Sequence, residues 1–170
     1  YTTLFRSAGN DVITATVGNN TLLGGAGADI ITAGTGNDSI DGGDGNDTII
    51  GTSGKNTLLG GAGDDSITGG TDNDTITGGD GNDTITGGKG DDVVYGAGVF
   101  KYTTGDGNDT LYNTFIIELA AGTSITGYNY YSTVHSSYFD EGTYTFNIAC
   151  LNISFVPFIY APPEILHSIG

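Results

Sequence analysis

The chain has 170 residues and a mass of 17.3 kDa, enough for one domain with a small appendage and too little for two ordinary enzymatic domains. Its 20 acidic residues face 4 Lys and Arg, a net charge of −16 that excludes a nucleic-acid binder, because a phosphate backbone needs clustered cations. Glycine fills 31 positions without a Gly-X-Y period and with only 3 prolines, which excludes collagen. No apolar run reaches the ~18 residues that cross a bilayer. The chain opens at Tyr1 with no basic leader, which reads as a fragment or a processed form. Cys150 is alone, so an internal disulfide is impossible and the residue reads as a small buried hydrophobe.

A period of nine starts at Arg6 and runs unbroken to Tyr95, giving ten blocks. Successive odd blocks read GGAGADIIT (24–32), GGDGNDTII (42–50), GGAGDDSIT (60–68) and GGDGNDTIT (78–86). Position eight is always aliphatic: Ile13, Leu22, Ile31, Ile40, Ile49, Leu58, Ile67, Ile76, Ile85 and Val94. A helix needs apolar residues more often than once in nine, and each interior Gly would cost it about 1 kcal/mol. The spacing instead predicts a three-residue strand at positions seven to nine, its middle side chain inward, and a six-residue turn. So short a strand is stable only when successive turns stack, two blocks to each 18-residue coil, which gives about five coils. A longer duplication agrees with this period: residues 18–32 and 54–68 match at 12 of 15 positions, an offset of 36.

Position six carries Asp11, Asp29, Asp38, Asp47, Asp65, Asp74, Asp83 and Asp92. Carboxylates stacked at strand spacing repel unless a cation lies between them. A hard ion such as Ca²⁺, with six to eight oxygen ligands, suits Asp carboxylates combined with carbonyls from Gly-rich turns. Zinc does not suit, since His135 and His167 lie outside the blocks and Cys150 has no partner cysteine. Alternate blocks stack, so one column carries Asp11, Asp29, Asp47, Asp65 and Asp83. The other carries Asn20, Asp38, Asn56, Asp74 and Asp92, and also holds the irregular Thr52 and Asp72. Weaker binding is expected where Asn20 and Asn56 replace Asp.

Residues 96–103 interrupt the array, and a degenerate block, 104–112, follows with Asp109 at position six and Leu111 at position eight. From Asn113 the composition changes: the last 58 residues hold four Gly, one Asp, all three Pro and eleven aromatics. Stretches 114–120 and 143–156 read as strands, broken near Pro157 and Pro162-Pro163. The expected organisation is therefore a repeat unit, 1–112, and a capping or assembly region, 113–170. No H-E-x-x-H, G-x-S-x-G or Walker loop occurs, so no catalysis is expected within the chain.

The nonapeptide GG-x-G-x-D-x-aliphatic-x resembles the repeats-in-toxin (RTX), or haemolysin-type, calcium-binding family. The resemblance implies an all-β parallel β-roll, or β-solenoid, with an aromatic-rich β cap. It implies about eight Ca²⁺ bound between turns by the position-six Asp and by glycine carbonyls at Gly25, Gly27, Gly43, Gly45, Gly61, Gly63, Gly79 and Gly81. It further implies type I secretion of an unfolded chain that folds on meeting calcium outside the cell or at its surface. The role expected is structural or interactive, with room for a homo-oligomer or fibre through the C-terminal region. The alternative is an accessory module of an extracellular enzyme or toxin whose catalytic domain lies outside this chain.

Overall fold

Thr, Ile and Leu at positions seven to nine favour the extended backbone, and every block puts a strand there. In this computed structural model residues 2–5, 8–102, 106–119, 127–130, 139–140 and 143–154 are described. The chain begins with β1 (Thr2–Phe5), β2 (Val12–Thr14), β3 (Asn20–Ala26), β4 (Ile30–Thr32) and β5 (Ser39–Asp44). It continues through β6 (Thr48–Ser53), β7 (Thr57–Ala62), β8 (Ser66–Thr71), β9 (Thr75–Asp80) and β10 (Asp83–Lys89). The long strands β11 (Val93–Tyr102) and β12 (Asp109–Leu119) follow, then β13 (Gly127–Tyr130), β14 (Phe139–Asp140) and β15 (Thr143–Ser154).

Pairing is parallel and alternate. One stack runs β1, β3, β5, β7, β9, β11 and the other β2, β4, β6, β8, β10, β11. Register is uniform: Ile13 pairs with Ile31, Ile31 with Ile49, and Ile49 with Ile67. The result is an all-β solenoid of about six turns, with no helix among the described residues. The position-eight side chains from both stacks meet as a single file of buried aliphatics from Ile13 to Val94, continued by Phe100 and Leu111. Each fully buried member contributes about 1.5–3 kcal/mol of apolar transfer free energy, and no turn buries enough to stand alone.

Two expectations need correction. The turn is not six residues long, because most strands run on through positions one to three of the next block. In β5, Ile40 and then Gly42 both face inward, with Asp41 between them turned outward. Two-residue alternation simply continues, and the second inward position is glycine because the space beside it is already taken. The count of about five coils is also low. The described part of the expected interruption 96–103, residues 96–102, contributes a sixth turn: Gly98–Lys101 pairs in parallel with Asp83–Thr86, and Phe100 sits opposite Ile85 with no solvent exposure.

Beyond the repeats β12 runs continuously across the expected boundary at 112/113. It pairs in parallel with β11 on one edge and antiparallel with β15 on the other, with a register shift between Tyr112 and Thr114. Strands β13 and β14 also pair with β15. Of the expected strands at 114–120 and 143–156, residues 114–119 fall in the later part of β12 and 143–154 in β15, and residues 120, 155 and 156 lie outside the described residues. Pro157, Pro162, Pro163, His135 and His167 lie outside the described residues.

Candidate metal centre

The position-six residue is held at three points. The Asp29 N–H donates to Asp47 Oδ1 at 2.8 Å, one turn on, and Asp29 Oδ1 accepts from the Asp11 N–H at 2.7 Å, one turn back. The Asp29 carbonyl accepts from the Thr48 N–H at 2.8 Å. The same side-chain ladder links Asp47 to Asp65 and Asp65 to Asp83 in one column. In the other it links Asn20 to Asp38, Asn56 to Asp74, Asp74 to Asp92, and Asp92 to Asp109. Stacking the turns therefore consumes Oδ1 of each carboxylate and fixes where Oδ2 goes.

That second oxygen is left over. Oδ2 of Asp29, Asp38, Asp47, Asp65, Asp74, Asp83, Asp92 and Asp109 is buried and has no hydrogen-bond partner. Each such group would cost roughly 1–3 kcal/mol, and more when charged, if nothing compensated it. Burial pushes Asp65 and Asp92 up to about 6, Asp74 to about 7 and Asp109 to about 8, and raises Asp47 and Asp83 as well. Neighbouring carboxylates add to the effect, at Asp109 those of Asp92, Asp106 and Asp91. The partly exposed Asp11, at the first turn, is not among the orphaned groups.

The glycines at position one show what lies beside four of the orphaned oxygens, those of Asp29, Asp47, Asp65 and Asp74. A Cβ built on Gly24 would collide with Asp29 Oδ2 and with the Gly42 carbonyl oxygen of the next turn. Gly42 stands likewise against Asp47 Oδ2 and the Gly60 carbonyl, and Gly69 against Asp74 Oδ2 and the Gly87 carbonyl. Position one thus lies beside carbonyls that the sequence reading missed; the only signal was the recurrence of a first glycine in each Gly-Gly pair, whose inward orientation the structure alone shows. The expected glycines stack in the same column: the Gly25, Gly43 and Gly61 carbonyls each approach the next turn's position-two glycine. Those of Gly27, Gly45 and Gly63 do the same at position four, and Gly79 and Gly81 end the two series.

A second ladder also escaped the sequence reading. Side chains at position five accept from backbone N–H groups one turn on: Asn10 from Ala28, Asn37 from Lys55, Asn46 from Asp64, and Asp64 from Asn82. These exposed residues staple the outer turn and use the opposite chain direction from position six.

The donor set fits a hard cation. In the turns of Asp29, Asp47, Asp65 and Asp74 the polar atoms that crowd position one are Oδ2 and a next-turn carbonyl oxygen, donors that suit Ca²⁺ and not a metal that prefers nitrogen or sulfur. Among the described residues no three acidic, His or Cys side chains converge, so carbonyls must complete any coordination shell. No described helix is long and apolar enough to cross a membrane. A comparison with curated proteins gives no significant match. The family model for the RTX calcium-binding nonapeptide repeat matches residues 6–40, 41–76 and 68–98, more than half of the chain. The register, the buried carboxylate columns and this match lead to one conclusion: the chain belongs to the RTX calcium-binding nonapeptide repeat family and forms its calcium-binding β-roll.

Proposed function

We propose that the protein is a structural or interaction module of a secreted protein, folded by Ca²⁺ outside the cell. The observation that carries this reading is the set of buried Oδ2 atoms without partners, with a next-turn carbonyl oxygen crowding the same glycine in the turns of Asp29, Asp47, Asp65 and Asp74. The ligands are Oδ2 of the position-six Asp residues together with glycine carbonyls of the same and the next turn. Eight such oxygens support about eight ions. Bound Ca²⁺ supplies the positive charge that the carboxylate columns lack. The chain's own contribution is to aim Oδ2 by tying down Oδ1, and to leave room with a glycine at position one in the turns of Asp29, Asp47, Asp65, Asp74, Asp83 and Asp92; the turn of Asp38 carries the small Ala33 there.

Without metal the carboxylates oppose a thin core, so metal binding supplies the folding free energy. Extracellular calcium modules bind with dissociation constants of about 10⁻⁴–10⁻³ M, so such a roll stays unfolded in cytosol and folds after export. Residues 1–112 act as the calcium-folded unit. Residues 113–170 cap the open edge of the solenoid or mediate assembly, a role supported by the antiparallel pairing of β15 with β12.

Far-UV circular dichroism, titrated from excess EDTA into millimolar Ca²⁺ with Mg²⁺ as control, tests this reading. A cooperative change from coil to β with Ca²⁺ alone is the expected result. Full β structure already present in EDTA at neutral pH would overturn it.

A further inference from the structure

Resting on the calcium reading above, a finer distinction concerns the two turns that carry an amide at position six. Asn56 Oδ1 accepts from the Asp38 N–H at 3.0 Å, the same bond that each Asp Oδ1 makes. That bond identifies the other side-chain atom as Nδ2, a donor. Asn56 Nδ2 donates to the carbonyl of Gly54 at 2.9 Å, and Asn20 Nδ2 donates to that of Gly18 at 2.7 Å. Around Gly51 the Asn56 Nδ2 takes the place that Asp Oδ2 takes around Gly42, Gly60 and Gly69, next to the following turn's Gly69 carbonyl.

A carboxylate oxygen beside a carbonyl puts two acceptors together and needs a cation between them. An amide N–H in that place donates instead to a carbonyl of its own turn, as Asn56 does to Gly54 and Asn20 to Gly18, and needs no cation. We propose that Asn20 and Asn56 are internal substitutes for a cation and close their turns without metal. The column that contains them then loads metal only at the turns of Asp38, Asp74, Asp92 and Asp109, whereas the Asp-only column loads at Asp29, Asp47, Asp65 and Asp83.

The test is a count of bound Ca²⁺ per chain by equilibrium dialysis in millimolar Ca²⁺, on the full chain and on two reciprocal variants. Asn56→Asp replaces the donor by an oxygen and should gain one ion, with its calcium-induced folding moved to a higher Ca²⁺ concentration. Asp65→Asn should lose one ion, keep its β signal in Ca²⁺, and fold at a lower Ca²⁺ concentration. Asn56→Asp that folds yet binds no additional ion would overturn the inference. If that variant does not fold, Asp65→Asn decides: loss of one ion with the β signal intact supports the inference, and an unchanged count overturns it. A wild-type chain that binds no Ca²⁺ defeats the calcium reading itself, a result distinct from a calcium-bound wild type whose count Asn56→Asp leaves unchanged.

Discussion

At the scale of single residues the repeat tolerates few exceptions, and two of them are strained. Thr52 adopts φ 81° and Asp72 φ 74°, at positions two and four, where most other blocks place glycine. Asp72 has partial compensation, since its Oδ2 accepts from the Gly54 N–H at 3.1 Å, and Asp enters this region more readily than most residues. Thr52 is β-branched and pairs in register with Gly70, so its conformation is a true outlier held by the stack around it. Thr52→Gly should therefore raise the stability of the calcium-loaded roll by about 1–2 kcal/mol, net of glycine's greater entropy loss on folding. Thermal unfolding in excess Ca²⁺ checks this, and an unchanged or lower midpoint would refute it.

At the scale of the strand the concealed sixth turn carries the sharpest expectation. Phe100 fills the position-eight slot opposite Ile85, although the spacing from Val94 to Phe100 is not nine. A solenoid requires only that an apolar side chain arrive at the right height, and β11 achieves this by running on without a full turn. Phe100→Ala should cost about 3–5 kcal/mol, as for other buried aromatic truncations. It should also loosen the edge on which β12 stacks, so hydrogen exchange should rise in β12 before it rises in β4 or β6. Equal exchange along the solenoid would show that the turn is not a separate support. Tyr95 and Tyr112 stack at 4.7 Å where β11 and β12 pair in uniform register.

At the scale of the molecule, two columns of carboxylates tie folding to pH. Asp65, Asp74, Asp92 and Asp109 have pKa values raised by burial to between about 6 and about 8. A raised value means that the metal-free folded roll holds protons that the unfolded chain has already released. The stability of that metal-free state is fully present below the unfolded value of about 3.8, and is lost as pH rises through 6 to 8. In EDTA the β signal should therefore be larger at pH 4 than at pH 9. Calcium competes with the same protons, so its apparent affinity should rise from pH 5 to pH 8 with protons released on binding. Calorimetry in buffers of different ionisation enthalpy reads that release directly, and pH-independent affinity would contradict it.

The sequence by itself determined the period, the inward aliphatic, the alternate stacking and the Asp-bearing column, because each recurs every nine or eighteen residues and a solenoid repeats its contacts with its sequence. The same regularity revealed Asn20 and Asn56 as departures, while strand-favouring composition alone pointed to the strand that the structure places at Thr143–Ser154. It could not show how far each strand runs, since glycine has no pattern of its own and Gly42 reads as turn until Ile40 is seen facing the same way. Nor could it show that Phe100 completes a turn, because the eight-residue break destroys the period while the stack preserves the height. Only the tertiary structure decided which carboxylate oxygen is free. That choice depends on hydrogen bonds to backbone groups a full turn away in the chain, brought within 3 Å by stacking, and no local pattern encodes which of two chemically identical oxygens they will take.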